Sequence, residues 1–306
     1  MLNSIQFELW KNCCHNCDFC FNIHSRASTQ KDKRRILRNT KFCLETKDLT
    51  KYERIGFIGG ELLDPRQFEE KTLILFKELI DYIKDILDQH PQITFYITTA
   101  LLFEDLTLVK YLAEYISKLP SKDRWYICTS YDSKGRFHNK NHLDLFYKNM
   151  KFLQQYNLNI HVEVLPTQHF IEEVLADRFN PRVFEKEFNC KIDYSDLNSG
   201  FYWKDKFDMQ KDVPYFFPKR ADFIKFLKKC YQEDLATPKE ICYYDIFFNE
   251  WYRLDEDLQL QLVLRHGYDP QMPYGHVQKS DYIDSDKLMY EDVNEVWKIM
   301  KGQKNI

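Results

Sequence analysis

Cysteine spacing near the N-terminus constrains this chain more than any other feature of its sequence. Cys13, Cys17 and Cys20 follow the pattern C-x3-C-x2-C. This spacing lets one short loop place three thiolates around a [4Fe-4S] cube while the fourth iron keeps no protein ligand. A cluster that only carries electrons normally takes four cysteines, and a closed structural zinc site takes four ligands. The triplet therefore indicates a cluster at which chemistry can take place.

Two other assignments of this loop remain open. A zinc site could be formed by Cys14, Cys17, Cys20 and His24, and the run from Cys14 imitates part of a ferredoxin motif without its last cysteine and proline. In either case the chain would be a non-catalytic iron-sulfur or zinc-binding module acting in electron transfer or partner binding. If Cys14 were the first cysteine of the triplet, the C-x3-C spacing would be lost. We therefore interpret Cys14 as a residue that does not bind the cluster.

Composition and charge narrow the class of protein. The chain has 306 residues, of which 44% are hydrophobic and 30% charged, as in soluble globular proteins. A net charge of -3 gives no general attraction to nucleic acid or to anionic membranes, so such contacts would have to be local. No apolar run reaches the roughly 18 residues that span a bilayer, and no signal peptide is recognisable. The nine cysteines are odd in number and mostly scattered, so we expect a cytoplasmic, reducing location.

Short β segments alternate with longer helical segments over about the first 195 residues. Strands are predicted at 4–10, 54–59, 92–99, 124–130, 159–165 and, more weakly, 190–194; helices are predicted within 26–47, from 65 onward, and at 104–119, 141–156 and 170–177. This alternation is typical of a parallel α/β sheet with right-handed crossovers, closed or half closed into a barrel. In such a fold, active sites gather at the carboxyl ends of the strands.

The sequence changes character beyond residue 198. It becomes aromatic and irregular, with helices predicted at 218–233, 237–252 and 289–300. The second of these opens on Thr237-Pro238-Lys239-Glu240, which is similar to a capping box with proline in the first turn. Because no segment has the composition of a flexible linker, we divide the chain into a partial barrel, residues 1–195, and a mainly helical, aromatic-rich C-terminal cap, residues 196–306, packed on it.

Glycines cluster at the end of the second predicted strand. The chain has only eight glycines, yet Gly56, Gly59 and Gly60 fall within five residues and are followed by Glu61. Glycines at a strand end indicate a sharp turn or the close approach of a ligand to the backbone. Taken alone, the motif is equally compatible with an ordinary turn ahead of Pro65.

Taken together, the two motifs resemble the signature of the radical S-adenosylmethionine (radical SAM) enzymes. That signature is a C-x3-C-x-aromatic-C loop after the first strand and a Gly-Gly-Glu stretch after the second; here Phe19 takes the aromatic position and Gly59-Gly60-Glu61 the second motif. The resemblance implies a partial (β/α)6 barrel. It also implies that the three cysteines hold a [4Fe-4S] cluster and that the amino and carboxylate groups of SAM chelate its open iron. Gly59, Gly60 and Glu61 would then receive the SAM ammonium group.

The resemblance implies a reaction class and leaves the substrate open. Reductive cleavage of SAM would give a 5'-deoxyadenosyl radical that abstracts hydrogen from a nucleotide, a nucleoside or a peptide side chain. The electron would come from an external donor of the flavodoxin or ferredoxin type. We expect a single cluster, because only Cys230 and Cys242 follow residue 194. Residues 275–292 are similar to the tail of uncharacterised family members, some phage-encoded, but lack their cysteines.

Further cofactor contacts are implied at the ends of the third and fourth strands. Thr98 and Thr99 could hydrogen-bond SAM, although threonine is also a routine strand residue. Ser130, Asp132 and Arg136 resemble the region that many radical SAM enzymes place against the ribose and carboxylate of SAM. Asp132 would equally suit a surface turn.

Two more features have a functional and a structural interpretation. Glu163 lies between Val162 and Val164 in a run predicted to be buried, where a carboxylate needs a partner such as SAM, substrate, His161 or an arginine. The basic stretch 31–38 lies after the cysteine loop, where its charge would suit the entry of a phosphate-bearing substrate. A solvated helix face explains the same stretch.

Overall fold

Six parallel strands alternate with helices through the first part of the chain. The structure is a computed structural model that describes residues 4–15, 17, 20, 27–194, 218–235, 243–245, 250–254, 260–265 and 280–289. The strands are β1 (Ser4–Glu8), β2 (Arg54–Ile58), β3 (Thr94–Thr98), β4 (Trp125–Tyr131), β5 (Asn159–Val164) and β6 (Lys191–Tyr194). The helices are α1 (Gln30–Thr46), α2 (Glu70–Gln89), α3 (Thr107–Ser117), α4 (Lys140–Gln154), α5 (Gln168–Leu175) and α6 (Pro181–Phe188). The predicted alternation is confirmed. Helix α6 was missed, although Asn180 caps it and Pro181 begins it.

All strands of the large sheet are parallel, and its order is β10-β1-β2-β3-β4-β5-β6 in the part of the chain that is described. Strand β10 (Ser280–Ile283) comes from the C-terminal region and pairs with β1. The sheet is not closed, since β10 and β6 form its two edges. The predicted α/β partial barrel is therefore confirmed, with one strand that the sequence did not indicate.

The C-terminal region contains more β structure than predicted. Helix α7 (Arg220–Gln232) confirms the first predicted helix and packs against α5, with the rings of Phe170 and Phe226 6.0 Å apart. The helix predicted at 237–252 is wrong. Strands β7 (Tyr243–Asp245), β8 (Glu250–Leu254) and β9 (Leu260–Arg265) form an antiparallel sheet there, in keeping with the strand propensity of aromatic residues. The helix predicted at 289–300 lies outside the described residues.

The two faces of the large sheet differ in chemistry. Side chains alternate between faces along a strand, and the strand register aligns them across the sheet. One face is apolar and buried, sharing a single hydrophobic core with the helices. We call the other the polar face; it carries Gln6, Arg54, Thr94, Tyr96, Thr98, Tyr126, Cys128, Ser130, Asn159, His161, Glu163, Lys191 and Asp193. A parallel sheet covered on both faces would be apolar on both, so this face is built to meet something polar.

Short helix α8 (Ser285–Leu288) follows β10 and fixes it beside the cysteine loop. The Ser285 amide and hydroxyl donate to the buried Glu8 carboxylate, at 3.3 and 3.1 Å. Lys11, two residues before Cys13, donates to Asp286 at 3.0 Å. The C-terminal strand is thereby tied to the segment that leads into the cysteines. None of the described helices combines the length and apolarity needed to cross a bilayer.

Candidate active site

The cysteine loop leaves β1 at the carboxyl edge of the sheet. Cys13 is exposed, Cys17 is buried and Cys20 is half-buried. The Cys20 amide donates to the Cys17 carbonyl at 3.0 Å, which makes a tight turn of the second cysteine step. Phe19 lies outside the described residues.

Within the described residues, no three His, Cys, Asp or Glu side chains converge as ligands of one metal ion. In a [4Fe-4S] cube each thiolate binds a different iron atom, so its cysteines surround a volume and do not meet at a point. Three thiols on one loop remain the donor set that such a cluster takes.

Asn12 closes the cysteine loop, and sequence reasoning missed it. Its side-chain amide donates to the Ser28 carbonyl at 3.1 Å, and its side-chain oxygen accepts from the Ser28 amide at 2.8 Å. Both ends of the loop are thus held by one side chain. In the sequence, Asn12 is marked only by its position immediately before Cys13, and that position alone does not predict a bond to Ser28.

The glycine pair lies against the backbone that leads into the loop. A Cβ on Gly59 would lie 2.3 Å from the Trp10 carbonyl oxygen, and one on Gly60 would lie 2.1 Å from the Asn12 carbonyl oxygen. Gly59 also has a φ of +145°, which side chains rarely adopt. The Gly60 amide donates to Trp10 at 2.6 Å and the Glu61 amide to Asn12 at 2.9 Å. The predicted meeting of both motifs at one edge of the sheet is confirmed, and protein backbone is what approaches the glycines.

The Glu61 carboxylate lies inside the protein. It is fully buried and accepts hydrogen bonds from the Leu63 amide at 2.9 Å, the Thr99 hydroxyl at 2.7 Å and the Ala100 amide at 2.6 Å. Burial raises the pKa of Glu61, and these three donors offset part of that rise. The carboxylate joins the ends of β2 and β3, and its contact with the SAM ammonium group stays a prediction.

The two threonines at the end of β3 point in opposite directions. Thr99 is buried and donates to Glu61, and its contact with SAM stays a prediction. Thr98 is half-buried on the polar face, beside Cys128 of β4. Of the pair, only Thr98 keeps a position from which it can contact a ligand on that face.

The end of β4 brings Ser130, Asp132 and Arg136 together. The Arg136 guanidinium donates to the Ser130 hydroxyl on the polar face. Asp132 is buried, and its side-chain oxygen accepts from the Lys134 and Gly135 amides at 3.0 and 2.8 Å. That geometry is the turn that the sequence allowed for Asp132, and it holds the loop that carries Arg136.

Glu163 lies on the polar face close to a pair formed by His161 and Asp193. The expectation of burial is wrong: Glu163 is exposed on the polar face, because only its neighbours Val162 and Val164 face the core. The alternation of apolar and polar residues along β5 already indicates that Glu163 faces away from the core. His161, two residues earlier on the same face, pairs through Nδ1 with the Asp193 carboxylate of β6.

Three of the five basic side chains in the basic stretch of α1 bond to other parts of the protein, and Lys31 and Arg38 are exposed. Lys33 is buried, donates to the Gln67 carbonyl at 2.8 Å and lies 5.2 Å from the centre of the Trp10 ring. Arg34 pairs with Glu69, and Arg35 donates to the Met289 carbonyl at 2.7 Å. These three side chains hold α1 to its neighbours. They therefore form neither a phosphate-binding entrance nor a solvated helix face.

A cleft of about 660 Å³ adjoins the loop beside Cys14. Asp64 and Arg66 line it, and the Arg66 guanidinium lies 3.2 Å from the Cys14 sulfur. His142 lines the same cleft, with its ring 6.5 Å from that of His15. Sequence reasoning missed this group, although Asp64-Pro65 is a turn signal next to the glycine motif.

Comparison with known proteins identifies the fold. The anSMEcpe structure with bound AdoMet has a TM-score of 0.52 and 16% identity, covering 76% of this chain and 58% of that one. The anSMEcpe structure with AdoMet and Cp18Cys peptide has a TM-score of 0.50 and 15% identity, with coverage of 78% and 63%. SuiB of Streptococcus suis bound to S-adenosylmethionine has a TM-score of 0.45 and 18% identity, with coverage of 76% and 48%. No family model and no curated protein matches the chain.

Because anSMEcpe is a radical SAM enzyme, its likeness to this chain shows that the chain has the radical SAM fold. It spans about half the length of SuiB and about three fifths of that of anSMEcpe.

Proposed function

We propose that this chain is a radical SAM enzyme in which Cys13, Cys17 and Cys20 hold a [4Fe-4S] cluster and SAM binds at the iron they leave open. When bound, these groups supply a 5'-deoxyadenosyl radical that abstracts a hydrogen atom from the substrate. The observation that carries the proposal is the contact between the two motifs, where the Gly60 amide donates to Trp10 just before the cysteines. A cysteine loop fixed at the carboxyl edge of a radical SAM sheet has the donors and the position for this chemistry.

The chain's own residues hold the loop and orient the ligands. Asn12 fixes both ends of the loop through Ser28, and Glu61 joins the strand ends beneath it. Arg136, on the Ser130 hydroxyl, is positioned to meet the carboxylate or ribose of SAM. The polar face lies beyond these groups, so we assign the substrate to that side of the sheet.

A peptide side chain is the substrate class that we favour. The structure of anSMEcpe holds the Cp18Cys peptide in the same fold. A phosphorylated substrate would need the basic stretch, but Lys33, Arg34 and Arg35 of that stretch bond within the protein. A nucleoside remains the other class to be assayed.

The test is anaerobic reconstitution with iron and sulfide, reduction by dithionite in place of a flavodoxin or ferredoxin donor, and quantification of 5'-deoxyadenosine formed from SAM. The expected result is a cluster and formation of the nucleoside. Cys17→Ala should abolish both, because it removes one of the three thiolates. Cys14→Ala is the matched control, since Cys14 lies beside Cys13 but contacts Arg66.

Two results would contradict the proposal. A wild-type cluster that never yields 5'-deoxyadenosine, with peptides or nucleosides added, favours the module that only carries electrons or binds a partner. Loss of the cluster in Cys14→Ala but not in Cys17→Ala would mean that the ligand set is wrong.

A further inference from the structure

The amino-terminal half of the polar face is filled by side chains. The Tyr96 ring covers Gly56, where an added Cβ would lie 2.1 Å from the ring. The Arg54 guanidinium lies over the same ring, 5.9 Å from its centre. The carboxyl half of the face carries Cys128, Ser130, His161, Glu163 and Asp193.

The His161–Asp193 pair has a defined orientation. Burial raises the pKa of Asp193, but the hydrogen bond and charge of His161 and the charge of Lys191 lower it further, so the net value lies below its usual range. Asp193 is therefore ionised at neutral pH and can only accept a hydrogen bond. The ring nitrogen facing it, Nδ1, must donate, so a neutral His161 imidazole carries its lone pair on Nε2.

The groups around the pair leave Nε2 available. The Tyr126 ring packs edge-on against the His161 ring, 4.8 Å away, and within the described residues no side chain or backbone group bonds to Nε2. The His161 side chain is 25% exposed. Burial, with Glu163 and Asp193 adding to it, raises the pKa of Cys128 to about 12, so this neighbouring thiol stays protonated and does not compete as a base.

We propose that His161, oriented by Asp193, is a proton acceptor for a substrate that presents an O–H or N–H group to the polar face. That the chain catalyses a reaction at this face rests on the proposed function. That His161 accepts a proton rests on the geometry of the His161–Asp193 pair. In the step, the substrate O–H or N–H bond breaks, its proton forms a bond to Nε2, and its electron pair stays on the substrate atom. No electron is exchanged, and Asp193 holds the resulting imidazolium. His161 is the catalytic residue and Asp193 its positioning residue.

The test measures the nucleophilicity of Nε2 without needing the substrate. Reconstituted full-length protein is treated anaerobically with diethyl pyrocarbonate at pH 8.5, and the modification rate of each histidine is followed by peptide mapping. We expect His161 to be modified readily and to react at least fivefold more slowly in Asp193→Asn, which removes the charge but keeps the side-chain volume. His169 is the internal control, because its 3.4 Å contact with Glu173 on α5 is independent of Asp193.

Two outcomes overturn the inference: a His161 that is unreactive in wild-type protein, or a rate that Asp193→Asn leaves unchanged. SAM is a third probe, since strong protection of His161 by SAM alone would place the imidazole under the cofactor and not at the substrate. The proposed function is tested by a separate measurement: if the wild-type protein forms no 5'-deoxyadenosine, the proposed function is wrong. A reactive, Asp193-dependent His161 in such a protein would leave the pair intact and refute only the radical chemistry.

Discussion

The base of the cysteine loop and the carboxyl half of the polar face use their polar groups in different ways. At the base, the Gly60 and Glu61 amides, the Asn12 side chain and the Glu61 carboxylate all bond within the protein. On the face, Glu163 is exposed, and the His161 side chain is 25% exposed with one ring nitrogen available. Both regions hold residues that the family resemblance marks as cofactor contacts.

The comparison teaches that a motif residue can have a structural role of its own, apart from any contact with a ligand. A Gly-Gly-Glu stretch is needed here because a neighbouring backbone passes within bonding distance and because a buried carboxylate joins two strand ends. Substitutions at the base should therefore appear first as lost stability and lost iron. Substitutions on the face should appear as lost ligand affinity with the fold retained.

Glu61→Ala should have the largest effect. Three donors would lose their buried acceptor, which costs about 3–5 kcal/mol of unfolding free energy. The measurement is the Tm of the reconstituted protein and its iron content. Glu163→Ala is the matched control at the end of β5, where the exposed carboxylate should contribute less than about 0.5 kcal/mol. If Glu61→Ala had the Tm of the wild-type protein but lost SAM binding, Glu61 would be a direct contact of SAM.

Lys33→Met should change how stability depends on pH. Burial lowers the pKa of Lys33 from 10.5 to about 8, so below pH 8 both the folded and the unfolded states carry the proton. Between about pH 8 and 10.5 the folded state releases its proton while the unfolded state keeps it, and wild-type stability should rise relative to Lys33→Met. The gain is at most on the order of 3 kcal/mol. Parallel Tm curves across that range would show that Lys33 keeps its proton in the folded state.

Much of the fold follows from local pattern. The alternation of strands and helices, the cysteine loop after β1 and the glycines after β2 all lie where the sequence predicts them. Strand β10 was missed because four residues, Ser280–Ile283, carry too little pattern to indicate pairing with β1 across the whole chain. The prediction of a helix at 237–252 is wrong because cap-like residues act only at a helix start, whereas Tyr243, Tyr244 and Trp251 favour strands along the segment.

The candidate site was predictable in its chemistry and less so in its contacts. Residue types and spacing indicate the cluster, but the partner of a carboxylate depends on which backbone amides the fold brings to it. Glu61 meets Ala100, 39 positions away, and His161 meets Asp193 on another strand. Asn12 gives no sequence signal for its bond to Ser28, because the two lie at opposite ends of a loop.

Asn12→Ala should weaken the hold on the cysteine loop. It removes two hydrogen bonds to Ser28, worth about 2 kcal/mol together, and leaves the loop ends less constrained. The expected result is a reduced iron content after reconstitution and faster loss of the cluster to a chelator. Gln154→Ala is the control, since its exposed side chain makes a single bond, to the Glu187 carbonyl. Chelation rates that match wild type would mean that the backbone contacts of residues 10 and 12 with Gly60 and Glu61 are enough to hold the loop.

Arg136→Lys should have the smallest effect and should fall on ligand affinity. Lysine keeps the charge but loses the planar guanidinium that bonds Ser130 while meeting a carboxylate. We expect the Kd for SAM, measured by equilibrium dialysis on the reconstituted protein, to rise about tenfold, or about 1.4 kcal/mol. Iron content should stay at the wild-type level. Arg182→Lys is the control, because Arg182 is exposed and pairs with Glu185 on α6. If Arg136→Lys instead lowered Tm and iron content together, Arg136 would belong with Glu61 among the groups that hold the fold, and the polar face would lose its assigned contact with SAM.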